Sequence, residues 1–470
     1  MHHFMNNLPF IKNEVFQSVC RFLIRLLLLV FCFNTYPKAE SFLADAPLIF
    51  ENFSSQNLYH SEGMGFYVDN LGRKLYARKG VLVKVEKDFD LSLIEQLIDD
   101  VESLDVIYKG FDFNYVRIEL GENAFLIQSI AALQASGDFL LVQPDILQIS
   151  GVSNLNREFT VSATNGLNGG SKLSQHGDHA DDEHNHSNRR NYTGIIDPAL
   201  LNVVNRPYQS YVEKIGIPNI WKSTLGKGVK VAIIDDGFDL SHSGLGISGA
   251  ISTFDVDKGK LMQLPRSLGD QHGTKLTGII FSKHSKSGLK GIAPEADFIG
   301  IRSSYAWTSH TLLALEAAKS AGADVVNCSW RSPWLLEPIK DAVEDFTRYG
   351  REGKGALVVF AAGNQGEEIL PNSAEGAIES AFVVGAHNLR WQKLHKSNYG
   401  KTVDANSFGM RVATTGVNNQ YGNLSGTSLS AAIVSGLSAL LIAQNPNLTG
   451  EEVQNQLLQI LSDPTLATNL

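Results

Sequence analysis

A carboxylate, an imidazole, a carboxamide and a hydroxyl stand in four short islands of this chain. Asp235 lies in Val231-Ala-Ile-Ile-Asp235-Asp236-Gly237, His272 in His272-Gly-Thr274, Asn364 in Ala362-Gly-Asn364-Gln-Gly366 and Ser428 in Gly426-Thr-Ser428. Together they supply an acid, a base, an amide donor and a nucleophile, the parts that drive a serine onto a carbonyl and hold the resulting oxyanion. A carboxylate at Asp235 can accept the Nδ1 proton of a histidine and so fix its tautomer. The Asn364 amide and the Ser428 backbone N–H can both donate to an oxyanion. Plainer readings stand beside these: a turn acid ending a strand, with Asp236 as a second candidate, a turn asparagine and a helix-capping serine. A cap explains one hydroxyl. It does not explain the Gly426-led approach or the small, apolar run Leu429-Ser-Ala-Ala-Ile-Val-Ser-Gly436 behind it.

Each of these groups sits at the end of an expected element. From about residue 201 onward, strand and helix patterns alternate. Segments 229–234, 298–301, 324–328, 357–360 and 382–385 read as strands, several of them apolar throughout, as buried parallel strands are. Segments 312–320, 338–349, 427–443 and 451–461 read as covering helices. The expected fold is an α/β three-layer sandwich with a central, mostly parallel sheet. Ligands gather at the carboxyl ends of such strands, where Asp235 and Asn364 lie. His272 opens a helix of small residues, with glycine allowing close backbone approach. His242, His284, His310, His387 and His395 lack that setting and read as surface or packing residues.

Residues from about 75 to 150 read as a smaller α+β unit. Strand 81–85, helix 91–101, strands 106–108 and 115–118, helix 124–133 and strand 139–142 give the ferredoxin-like order β-α-β-β-α-β. Between about 151 and 200 the composition shifts to Asn, Ser, Gly and His, which reads as a linker. Its cluster of His176, Asp178, His179, Asp181, Asp182, Glu183, His184 and His186 suits a soft divalent ion, although a solvated loop is the plainer reading. Arg189-Arg190 is a candidate processing site. At the N-terminus, Arg21 and Arg25 precede an apolar run at 26–33. That run is far short of the ~20 residues of a spanning helix and fits a signal peptide. Ala39 and Ala44 are candidate cleavage positions, and a retained anchor is the alternative. No later segment reads as a membrane span.

The 470 residues are 43% hydrophobic and 19% charged, with a net charge of −9. This describes a globular chain with ample core and gives no sign of nucleic-acid binding. Only Cys328 of the three cysteines lies in the body of the chain, so no disulfide framework is expected.

The four islands together resemble the subtilisin-like serine proteases (subtilases, peptidase family S8), over roughly residues 201 to 462. The order Asp235, His272, Ser428 is that family's order. The resemblance extends to Gly291-Ile-Ala-Pro294, Asn327-Cys-Ser-Trp330, Ser397-Asn-Tyr-Gly400 and Asn445-Pro-Asn-Leu-Thr449. It implies a subtilisin-like fold, catalytic Asp235, His272 and Ser428, and Asn364 in the oxyanion hole. It also implies substrate binding by Ser329, Trp330, Arg331, Ala362 and Gly363, with no metal in the site and no cofactor. The implied plan is a signal peptide (1–40), an inhibitory propeptide-like domain (41–150), a linker (151–200) and a catalytic domain (201–470). Such a chain would be a secreted or periplasmic zymogen that hydrolyses peptide bonds through an acyl-enzyme. Its partners would be polypeptide substrates and its own prodomain as intramolecular inhibitor, without nucleic acid and without stable membrane insertion once the signal is removed.

The chain also departs from the family. Ala432 stands where many subtilases have proline, four residues after the nucleophile. The substrate-edge strand normally continues Ser-x-Gly, whereas here Arg331 follows Ser329-Trp330, which narrows or recharges the pocket mouth. His242 is followed by Ser243-Gly244, where many members have proline and a calcium-binding aspartate, which counts against structural calcium there. Asp235-Asp236-Gly237 resembles kexin-type convertases, but their acids near the Ser-Trp segment are missing, so dibasic specificity is the lesser option. A catalytically silent binding protein, its cleft obstructed by Arg331, is the alternative from another functional class.

Overall fold

The computed structural model describes residues 58–61, 64–68, 74–147, 210–247, 251–261, 270–284, 289–304, 306–332, 334–370 and 374–462. The signal-peptide, His-rich-tract and Arg189-Arg190 expectations lie outside these residues. The chain divides into residues 1–46 and 47–470, and only the second contains described residues.

The smaller unit is an antiparallel sheet. A hairpin of β1 (Leu58–Ser61) and β2 (Met64–Val68) leads into the long strand β3 (Lys74–Glu86). Helix α1 (Ser92–Leu97), β4 (Val101–Lys109), β5 (Phe113–Leu120), α2 (Leu126–Ser136) and β6 (Leu141–Leu147) follow. Spatially the order is β6-β3-β5-β4, so β3 to β6 have the ferredoxin-like arrangement expected from sequence. Two details differ from the sequence reading. Val101 opens a strand rather than ending a helix, because Asp100, at φ 58°, turns the chain out of α1's path. The hairpin ahead of β3 was not foreseen.

The larger part carries the sheet β14-β13-β12-β11-β7-β10-β8-β9, parallel except for the antiparallel β8/β9 pair at one edge. Its central strands are β7 (Lys230–Asp235), β10 (Asp297–Arg302), β11 (Val325–Cys328) and β12 (Leu357–Ala361). Beyond them lie β8 (Ile251–Asp255), β9 (Lys260–Leu261), β13 (Phe382–His387) and β14 (Ala405–Phe408). Side chains alternate across β7. Val231 and Ile233 join one apolar core, and Ala232 and Ile234 the other. This two-sided burial is why the parallel strands are apolar throughout.

Helices α5 (His272–Phe281) and α8 (Thr427–Gln444) cover one face. The short α3 (Ser210–Lys214) and α4 (Ile217–Ile220) pack into that same core, whereas α6 (Thr308–Ser320) and α7 (Glu337–Tyr349) lie on the other face. Helix α9 (Gly450–Ser462) ends the described chain. By length and composition α8 would pass as a membrane-crossing helix, contrary to the expectation that no later segment would, but 89% of it is buried in the protein. Its apolar surface is spent on the core.

The smaller unit docks on α6 and α7. Tyr108 Oη has both the Ala342 carbonyl (2.9 Å) and Asp345 (2.8 Å) within reach of its one proton, and Phe111 stacks on Tyr349 with centroids 4.2 Å apart. Lys84 pairs with Asp341 at 2.7 Å. Asp145, fully buried and paired to Arg78 at 2.6 Å, accepts the Ser309 N–H (3.0 Å) and hydroxyl (2.7 Å) at the start of α6. A carboxylate there meets the free N–H groups and the positive end of the helix dipole. Beyond it, Leu147 bridges to Trp307 in antiparallel fashion, just ahead of α6.

Candidate active site

Parallel pairing brings three strand ends side by side. Cys328 of β11 lies opposite Ile234 of β7 on one flank and Phe360 of β12 on the other. The exits of β7, β11 and β12 therefore present Asp235, Ser329 and the 361–364 turn in one row, at the carboxyl edge where such sheets bind ligands. Asp235 ends β7 and is 6% exposed. Both its carboxylate oxygens lie 2.9 Å from His272 Nδ1, and Oδ1 also accepts the Asp236 N–H at 2.8 Å. The Nδ1 proton is thus held by the carboxylate, and Nε2 is left as the basic nitrogen. Gly273 permits the approach: a Cβ there would stand 2.5 Å from the Gly237 carbonyl oxygen and 3.1 Å from Asp235 Cβ. Burial disfavours the His272 cation, but the Asp235 charge, their hydrogen bond and Asp236 outweigh it and raise the imidazole to about 9.

Asp236 has a role that the sequence reading missed. Its carboxylate accepts the N–H groups of Gln271 (3.0 Å), His272 (3.1 Å) and Gly273 (2.9 Å), the unpaired donors at the start of α5. Burial, then the Asp235 charge, push its own pKa up, while the His272 and Gly273 amides pull the other way. With these amides already bonded, Asp236 holds the imidazole's helix rather than facing a basic substrate residue. The signal was the second acid directly after a strand and ahead of a helix that lacks a capping side chain of its own. Asp236→Ala is expected to cost about 0.5–2 kcal/mol of stability, read by urea unfolding, and to lower kcat more than it raises KM. Unchanged unfolding would remove the capping role.

Ser428 is the second residue of α8 and 8% exposed. Its hydroxyl donates to the Ser329 carbonyl at 3.0 Å, and the Ser329 hydroxyl returns a bond to the Ser428 carbonyl at 3.2 Å. In this rotamer Ser428 is bonded to the segment that leaves β11 rather than to His272. Asn364 is tied to the same helix start: its Oδ1 accepts the Thr427 N–H at 3.0 Å and the Thr427 hydroxyl at 3.2 Å. With Oδ1 occupied, the Nδ2 donors are free to act. Thr427 Oγ1 also accepts the Gly363 N–H at 3.1 Å. A Cβ on Gly426, whose φ is 93°, would stand 2.7 Å from Asn364 Oδ1, so glycine is required there. Thr427 is a second group that the sequence reading passed over.

The loop after β12 is stapled by Asn398 of the Ser397-Asn-Tyr-Gly400 segment. Its amide donates to the Ala362 carbonyl at 2.9 Å, and its oxygen accepts from Gln365 and Glu367, both at 3.0 Å. Ala362 is buried, with its N–H spent on Val384 at 2.9 Å, so both its backbone groups are occupied within the fold. Trp330 turns inward, edge-on to Phe360 with centroids 5.3 Å apart. Of the expected substrate-binding residues, Gly363 and Arg331 face each other: a Cβ on Gly363 would stand 3.1 Å from Arg331 Cδ. Helix α8 runs unbroken through Ala432. At His242, Nδ1 accepts the Gly244 N–H at 2.9 Å, so Nε2 carries the proton that it donates to the Gln420 carbonyl at 2.7 Å. Ser243 donates through N–H and hydroxyl to Asn419 Oδ1, both at 2.8 Å, so this turn holds committed donors where calcium needs oxygen acceptors. Among the described residues no group of three or more His, Cys, Asp or Glu side chains suits a metal.

The subtilase family profile matches residues 226–466. The major intracellular serine protease of Bacillus subtilis (strain 168) is 31% identical over 49% of this chain and 73% of its own length. Subtilisin NAT of Bacillus subtilis subsp. natto is 29% identical over 49% of this chain, which spans 60% of that relative. A solved cold adapted subtilisin-like serine proteinase aligns with 52% of this chain and 87% of its own at 22% identity, with a TM-score of 0.44. The matched span opens just before β7, closes after α9 and takes in all four islands, over slightly more than half of the sequence; the chain belongs to the subtilase family of serine endopeptidases.

Proposed function

We propose that this chain is a serine endopeptidase made as a secreted or periplasmic zymogen, with Asp235, His272 and Ser428 as its triad. Ser428 attacks a peptide carbonyl while His272 Nε2 takes its proton. Asp235 holds the ring and stabilises the imidazolium, and Asn364 Nδ2 with the Ser428 N–H donates to the oxyanion. His272 then returns the proton to the leaving amine, and water hydrolyses the acyl-enzyme. Each group needed is a side chain or a backbone amide, so the reaction as read draws on no cofactor. The observation that carries this reading is His272 Nδ1 held at 2.9 Å by both oxygens of Asp235. The docked β3–β6 unit supports the zymogen part, because its last strand ends bridged to Trp307, just ahead of α6. Export rests on the apolar run behind Arg21 and Arg25.

The pH profile tests the base. His272 must be neutral to accept a proton, and its pKa is raised from 6.5 to about 9. The rate should therefore rise with pH. With 37% of the side chain open to solvent, screening draws the limb down from its upper bound. The kcat/KM of the processed enzyme is expected to climb between pH 7 and 9. The stabilising pairing with Asp235 has the opposite dependence: complete below pH 6.5 and lost as pH rises towards 9. A limb below pH 6.5, or none, would contradict the assignment.

A further inference from the structure

Arg331 is an unusual residue for its place. It follows Ser329 and Trp330 at the exit of β11, on the wall of the cleft opposite Gly363 and Asn364. Its stem lies against the Gly363 backbone, within 3.1 Å of where a Cβ would be. Among the described residues its guanidinium makes no hydrogen bond, and Nε is buried without a partner. A guanidinium offers five N–H donors in a planar fork, and leaving the buried Nε donor unpaired beside a cleft is costly unless a ligand completes it.

A neighbouring acid does not complete it. Glu375, in the 3-10 turn Ala374–Ala377, is 3% exposed, and both its oxygens accept the Ser332 N–H at 3.0 Å. No ion pair forms between Glu375 and Arg331. Burial pushes the Glu375 carboxyl up to about 7, against the pull of the Ser332 hydrogen bonds and the Arg331 charge, so near neutral pH it is only partly ionised. Glu375 is enclosed and engaged, whereas Arg331 is half-buried and unpaired.

We propose that Arg331 selects substrates with an acidic side chain, Asp or Glu, immediately before the scissile bond. This rests on the peptidase reading above. Its wall partner Gly363 precedes Asn364, the oxyanion donor, so a group lodged between 331 and 363 belongs to the residue whose carbonyl is attacked. A carboxylate there accepts a bidentate bond from the fork. The same cation disfavours a basic side chain, and its stem leaves less room for an aromatic one. Glu375, enclosed and bonded to Ser332, does not itself meet the substrate.

The test is a peptide-library digest with the processed full-length protein, its Arg331→Met variant and Ser428→Ala as background, with cleavage sites read by mass spectrometry. The wild type is expected to cut after Glu and Asp at least about tenfold more efficiently than after Phe or Leu. Arg331→Met keeps the stem and should reverse that order while still cutting apolar sites, which shows that it is folded. Preference for apolar or aromatic residues in the wild type, or an unchanged acidic preference in Arg331→Met, would overturn the inference and leave the peptidase reading intact. Preference for Lys or Arg would overturn it in favour of Glu375 as the recognising group. No cutting above the Ser428→Ala background would overturn both.

Discussion

Ser428→Ala is expected to abolish peptide cleavage and self-processing, lowering kcat on the order of 10⁶-fold, the size of the loss known for subtilisin. The substitution removes one oxygen from a side chain at the start of a buried helix. The structural loss is its hydrogen bond to the Ser329 carbonyl, worth about 0.5–1.5 kcal/mol. Helix α8 is otherwise packed by buried apolar residues from Leu429 to Ile442, so the fold should persist. The loss is therefore chemical. Single-turnover cleavage and thermal unfolding, measured on the same preparation, separate it from misfolding. Residual turnover within tenfold of wild type would mean that another nucleophile is at work.

The second large effect is expected at Asn364. Asn364→Ala should cost about 2.7–4 kcal/mol of transition-state stabilisation, appearing in kcat with little change in KM, because an oxyanion donor is removed from a preorganised site. Alanine also deletes the acceptor for the Thr427 N–H and hydroxyl. Asn364→Asp isolates the donor. The carboxylate keeps an oxygen for Thr427 but has no N–H to offer, and its charge opposes the developing oxyanion. It should be at least as slow as Asn364→Ala. An Asp variant near wild-type rate would show that the loop's position matters and that Nδ2 does not donate.

The strand ends were legible in the sequence because buried parallel strands leave long apolar runs, and Asp235 breaks such a run where β7 stops. His272 and Ser428 could be read because the small residues behind them have a steric reason. Gly273 lies against the Gly237 carbonyl, and Gly426 against Asn364. What could not be read was pairwise. Asp236 reads as a spare acid until three amides of α5 are seen converging on it. Thr427 reads as a helix residue until it is seen tying Gly363 and Asn364 to the start of α8. The inward turn of Trp330 and the enclosure of Glu375 likewise depend on contacts across the sheet, which no local pattern encodes.

The ferredoxin-like unit was legible from periodicity, but its docking was not. Tyr108 and Tyr115 read as strand residues of a small domain, yet they are fully buried, with Tyr108 Oη bonded at Asp345 and Tyr115 Oη at Asp341 on α7. Desolvation, then the neighbouring acidic charges, push both phenols well above their ordinary pKa, so they remain neutral donors.

The central claim is that His272 makes Ser428 a nucleophile within an intact site. A covalent serine-directed fluorophosphonate probe tests it most directly, applied to the full-length protein after processing and mapped by peptide mass spectrometry. The account predicts one labelled residue, Ser428, with labelling that rises from pH 7 to 9 as His272 deprotonates and disappears in His272→Ala. Absence of label after the β3–β6 unit has been removed, or label at any other serine, would contradict it and return the chain to the reading of a silent binding protein.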